Sequence, residues 1–196
     1  MKTSAILAIT LAAFSQASPI LGNKGGLDLG LDLDLDLGLG LGKGKGPFRF
    51  TSTYEVVAKP GQVVDSENQP TGGLEGAAGL FRFGIDARDN VICYNITLAG
   101  FRGEYQSPAL SATHIHEAPK GEAGPPRIAF PNPEGDGVRS SIGCVRGPFE
   151  TGVVGADGKD TGEGFHVSRI EEDPEAFFAD VHSSLAVPGA VRGQLH

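Results

Sequence analysis

Two stretches of this chain carry side chains able to do chemistry together. One is Ala112-Thr113-His114-Ile115-His116-Glu117-Ala118; the other, residues 178–185, contains Asp180 and His182. On a β-strand successive side chains alternate, so His114 and His116 share one face, about 7 Å apart, with Ile115 on the other. The same alternation puts Asp180, His182 and Ser184 together, opposite Ala179, Val181 and Ser183. Two imidazoles on one strand converge on a metal when a third ligand arrives from a neighbouring strand. The candidate metal ligands are therefore His114, His116, His182 and Asp180, with Glu117 as an alternative carboxylate in or behind the set, and copper or zinc as the ion. His-x-His alone is a weak signal, and a plainer alternative stays open. In it the imidazoles only bond loop backbone, and Asp180 pairs across strands with Arg192. His166 and the terminal His196 add little to either reading. No Gly-x-Ser-x-Gly run marks an exposed nucleophile. Residues 120–126 read as a turn rather than a phosphate cradle, because no helix follows and Glu122 sits within them.

Such residues need strands to hold them, and the chain supplies strand signals. With 30 Gly and 13 Pro in 196 residues, it reads as many short β-branched and aromatic runs joined by turns. The predicted strands are 48–57, 79–86, 91–101, 112–118, 127–130, 137–145, 164–167, 178–185 and 190–195. Val187-Pro188-Gly189 fits a type II turn, so an antiparallel pair closes the domain. One brief segment reads as helical. Ser168 and Glu171 have capping-box spacing, and Asp173-Pro174 sets a cap residue before a proline tolerated at the first helical position. The expected fold class is all-β: an antiparallel sandwich or barrel with one short helical crossover.

The N-terminal part is different in kind. Met1-Lys2 followed by an apolar run over 4–14 and small residues at 15–17 reads as a signal peptide spanning 1–17. The run is too short to span a bilayer, which takes roughly 20 apolar residues, and no later segment is apolar enough. Residues 18–46 read as a flexible spacer, in which leucine occupies every odd position from 27 to 41 with Asp or Gly between. Period two suits a strand, but the glycines make ordering entropically expensive. An adhesive β-stacking tail is the competing reading. Residues 47–196 form the β-domain. A net charge of −8 without a basic cluster is a poor match for nucleic acid.

Cys93 and Cys144 are the only cysteines, and in an oxidising compartment they form a disulfide. Both fall in predicted strands, and the bridge is expected to staple them across the core. Two free thiols are the alternative. Asn95-Ile96-Thr97 is an N-glycosylation sequon. In a regular strand Cys93 and Asn95 share a face, so a core disulfide and a glycan on Asn95 conflict unless a bulge intervenes.

These residues also carry a resemblance. His114-Ile115-His116-Glu117 followed by Gly121, Gly124 and Pro125 resembles the central motif of the CHRD domain, the module named from chordin. Asp180-Val181-His182-Ser183, Pro188-Gly189 and Val191-Arg192-Gly193-Gln194-Leu195 resemble its closing hairpin. Tyr54-Glu55-Val56-Val57, 76–83 and 94–100 fit its leading strands. Asp180, Ser183 and Ala190 depart from residues usual in the family. The resemblance implies an immunoglobulin-like β-barrel in a secreted, extracellular or cell-surface protein. It implies no settled activity for short stand-alone members, and the cysteine-rich modules of chordin are absent. A weaker resemblance, to copper/zinc superoxide dismutase, rests on the His-x-His-Glu run and a stapling disulfide, but five histidines do not supply that enzyme's arrangement. The function expected is a non-enzymatic, monomeric extracellular module that binds a protein or cell-wall ligand and requires no cofactor. The alternative is a copper- or zinc-binding secreted protein, redox-active in its dismutase-like form.

Overall fold

The computed structural model describes residues 49–196; the signal segment and the Leu/Asp/Gly-rich spacer lie outside them. Eight strands follow in order: β1 (Ser52–Ala58), β2 (Ala78–Asp86), β3 (Val91–Ala99), β4 (Thr113–Glu117), β5 (Pro126–Phe130), β6 (Arg139–Arg146), β7 (Phe177–Ser183) and β8 (Ala186–Gln194), with a single short helix, α1 (Ser168–Glu172), before β7. They make two four-stranded antiparallel sheets, ordered β1-β2-β3-β6 and β5-β4-β7-β8. The sheets face each other as a sandwich and do not close into a barrel.

Alternation explains why these segments sit as they do. Phe81, Phe83 and Ile85 of β2 and Ile92, Tyr94, Ile96 and Leu98 of β3 point inward from the first sheet. Ile115, Ile128, Phe130, Phe177, Ala179 and Val181 answer from the second. The Phe130 ring bridges the two, 5.6 Å from Phe83 and 4.9 Å from Tyr94, within the range where aromatic pairs add to area burial. The sheets also meet along one corner. There the Lys59 amide donates to the Arg192 carbonyl at 2.9 Å and the Arg192 amide donates back at 3.2 Å. Gly193 permits that approach, since a Cβ there would stand 2.6 Å from Val56 Cγ1 and 2.8 Å from the Val57 carbonyl oxygen.

Four expectations need correction. The disulfide does not cross the core. Cys93 and Cys144 are directly opposite in the neighbouring strands β3 and β6, and with Ile92 and Tyr94 inward, both cysteines face outward. Asn95 shares that outward face, so bridge and sequon do not compete. Residues 164–167 are not a strand: Phe165 and Val167 are buried as loop anchors, and the Phe165 amide donates to Gly162 within a turn. The closing turn falls at Ser184-Leu185, because Ser183 already pairs with Ala186; Pro188 and Gly189 lie inside β8. The capping box is not made. The Ser168 hydroxyl contacts His166 Nδ1, while Glu171 accepts hydrogen bonds from Thr51 and Ser52. The turn after Asp173 is a 3-10 turn, Pro174–Ala176.

Candidate metal centre

β4 and β7 are neighbours, and their register sets His114 opposite Asp180 and His116 opposite Phe178. Ile115, Ala179 and Val181 belong to the core, so His114, His116, Asp180 and His182 project from the outer side of the second sheet. A register irregularity between Val181 and Ser183 falls at His182. Loops cover this side, and three of the four residues are buried, with His182 partly so.

Each imidazole gives one ring nitrogen to a main-chain carbonyl. His114 Nε2 lies 2.8 Å from Ser111 O, His116 Nδ1 2.8 Å from Gly124 O and His182 Nδ1 3.0 Å from Val187 O. A ring nitrogen bonded to a carbonyl carries the hydrogen, so the other nitrogen of each ring is the free ligand atom. Those atoms converge on Asp180. His114 Nδ1 is 3.4 Å and His116 Nε2 3.3 Å from Asp180 Oδ1, and His182 Nε2 is 3.0 Å from Oδ2. One donor atom from each residue can be chosen so that all four lie within 4.8 Å of one another. His114 Nδ1, His116 Nε2 and Asp180 Oδ1 are buried without hydrogen-bond partners. Buried polar atoms left so are costly and call for an explanation such as an ion.

Geometry matches charge. A tetrahedral ion with bonds of about 2.0–2.2 Å sets its ligands about 3.3–3.6 Å apart, a range that holds the 3.4 and 3.3 Å between Asp180 Oδ1 and the His114 and His116 nitrogens. Burial, the largest effect, pushes the His114 imidazole below its ordinary pKa despite Asp180, which favours the neutral form a metal would need. Burial also works against the Asp180 carboxylate, but its contacts with the His116, His182 and His114 rings outweigh it and hold its pKa well below the usual range. On His182 burial likewise opposes the charge, yet Asp180 raises the pKa to about 9. Without metal, His182 is therefore an imidazolium with an acceptor at each nitrogen.

The structure brings together His114, His116, His182 and Asp180. Glu117 faces the other way and pairs with Arg127 and Arg169. Arg192 makes no ion pair with Asp180; its guanidinium stacks 3.5 Å from the Phe178 ring centroid and donates to the Glu122 and Pro119 carbonyls. His166 contacts Ser168 and stays apart. Sequence reasoning missed the supporting parts. Phe178 stacks on His116 with ring centroids 4.9 Å apart. The 120–126 turn delivers the Gly124 carbonyl, and Gly124 must be glycine because a Cβ would lie 2.0 Å from the Glu117 carbonyl oxygen. The mouth is a cavity of about 180 Å³, reached past Asp65, Ser66, Gly124 and Pro188.

No curated protein and no solved structure matches the chain. A family model does: that of the CHRD domain, over residues 54–195, a span holding all eight strands but the first residues of β1, and all four residues of the candidate centre. By that match, the chain belongs to the CHRD domain family.

Proposed function

We propose that this chain is an extracellular, non-enzymatic module whose His114–His116–Asp180–His182 cluster holds one divalent metal ion, zinc in preference to copper. The observation that carries the reading is the set of orphaned buried atoms, His114 Nδ1, His116 Nε2 and Asp180 Oδ1, aimed at one point. A cation among His114 Nδ1, His116 Nε2 and the Asp180 carboxylate would satisfy these atoms at once. Nitrogen and oxygen donors without thiolate suit zinc, the 3.3 and 3.4 Å separations of Asp180 Oδ1 from His116 Nε2 and His114 Nδ1 fit a tetrahedral ion, and four protein ligands are the mark of a structural site, whereas a catalytic zinc keeps one position open. The ion's work is then mechanical: it ties β4, β7 and the loops supplying the carbonyls into one rigid end, which presents a surface to a protein or cell-wall partner. A dismutase needs a redox metal with an open position, and four protein ligands around a tetrahedral ion would leave none.

Metal content of the purified chain tests this, followed by chelation and titration with zinc and copper. The expected result is one zinc per chain, with affinity reduced at least tenfold in His116→Ala. A folded protein that takes up neither ion, or binds equally after His116→Ala, overturns the reading.

A further inference from the structure

The outward side of the first sheet carries a second feature, independent of the metal centre. Asn95 stands in the middle of β3, between Arg82 of β2 and Ile142 of β6. Since Tyr94 and Ile96 point into the core, Asn95 and Thr97 both point out. The Asn95 amide has no hydrogen-bond partner among the described residues. Around it the face sets apolar side chains beside the exposed Arg82–Glu55 ion pair. Ile142 is 72% exposed and Phe50 40% exposed. Phe50 lies on Gly84, where a Cβ would be 2.5 Å from the ring, and the Cys93–Cys144 bridge lies beside Asn95. Together with Tyr94 these residues line a depression of about 810 Å³.

We propose that Asn95 carries an N-linked oligosaccharide whose first sugars lie over this depression. Asn95-Ile96-Thr97 has the acceptor pattern, and strand alternation keeps the amide and the threonine hydroxyl on the accessible side. The disulfide belongs to the oxidising compartment in which that transfer occurs. The donor is a lipid-pyrophosphate-linked oligosaccharide. Asn95 Nδ2 forms a bond to the anomeric carbon, the bond from that carbon to the pyrophosphate oxygen breaks, the lipid pyrophosphate leaves, and the amide gives up one proton. The attached sugars set their C–H faces on Phe50 and Ile142 and their hydroxyls in water, covering surface that otherwise marks an aggregation or docking liability.

The test uses the full chain secreted from a eukaryotic host. Intact mass should exceed that of the polypeptide by an oligosaccharide. The excess should disappear with peptide-N-glycosidase, be absent from Asn95→Gln and Thr97→Ala, and persist in Thr97→Ser. Deglycosylation of the folded protein should raise hydrophobic-dye binding severalfold, and Ile142→Ser should cancel that rise. A secreted, folded chain of bare polypeptide mass overturns the proposal. So does dye binding that does not change on deglycosylation, or a glycosylated chain that still self-associates through Ile142. Should Asn95→Gln fail to fold, enzymatic deglycosylation of the native protein gives the same readout.

Discussion

His182 is the residue on which metal and proton compete. In the metal-free protein both its nitrogens face acceptors, Val187 O and Asp180 Oδ2, each at 3.0 Å, and its pKa stands at about 9. The unfolded value is near 6.5, so the folded state holds the proton more tightly. The stabilisation this brings to the metal-free protein is fully present below about pH 6.5 and fades as pH rises through 9. A metal ion at Nε2 must displace that proton. Between pH 7 and 8, zinc uptake should therefore release about one proton per ion, and affinity should weaken as pH falls. Calorimetry in buffers of different ionisation enthalpy measures the released proton directly. In Asp180→Asn the imidazolium loses its carboxylate, and its pKa, followed by NMR, should drop toward the ordinary histidine value. A His182 that titrates near 6.5 in the wild-type metal-free protein would remove the basis of this argument.

The centre depends on elements that contribute no ligand. The segment between β1 and β2 passes over the mouth with Asp65 and Ser66, and it is clasped to the 120–126 turn by a hydrogen bond from the Ala123 amide to Asn68 Oδ1 at 2.8 Å. Asn68 has a φ of 63°, a conformation that asparagine tolerates better than most residues. Asn68→Ala leaves the four ligands untouched but releases the clasp. It should speed zinc loss to a chromophoric chelator several-fold while shifting Kd less than His116→Ala does; an unchanged loss rate would show that the clasp does not limit exchange. This division between ligands and supports also marks what the sequence makes legible. Period two puts His114 with His116 and Asp180 with His182 from residue type alone, and the structure keeps both pairings. The carbonyls of Ser111, Gly124 and Val187 are main-chain atoms that any residue offers, so only the closure of the loops selects them. The disulfide's position depended on register. Cysteine in a strand does not say which face it takes, and β3 resolves this through Ile92, Tyr94 and Ile96 turning inward.

At the scale of the molecule, the fold has one covalent fastening, and the proposed metal would add a second on the opposite outer face. The disulfide joins β3 to β6 on the first sheet, and the metal would join β4 to β7 and their loops on the second, with the whole core between. The bridge spans 51 residues, for which loop-closure entropy gives about 4 kcal/mol. A zinc ion at a free concentration of about 1,000 times its Kd gives about 4 kcal/mol by mass action, worth roughly 8–16 °C in Tm for a domain of this size. The two act differently: the bridge constrains the unfolded chain, and the metal selects the folded one. They share no side chain, and packed sheets stand about 10 Å apart, so their contributions should add to within about 0.5 kcal/mol. The cycle compares wild type with Cys93→Ser/Cys144→Ser, each with zinc and after chelation, by denaturant unfolding. Additivity would mean that the core transmits no strain between the sheets. A deficit larger than about 1 kcal/mol would mean that loss of either fastening loosens the other's sheet. In that case the corner where Lys59 meets Arg192 is the element to probe, because it is where main-chain hydrogen bonds join the first sheet to the strand beside the metal.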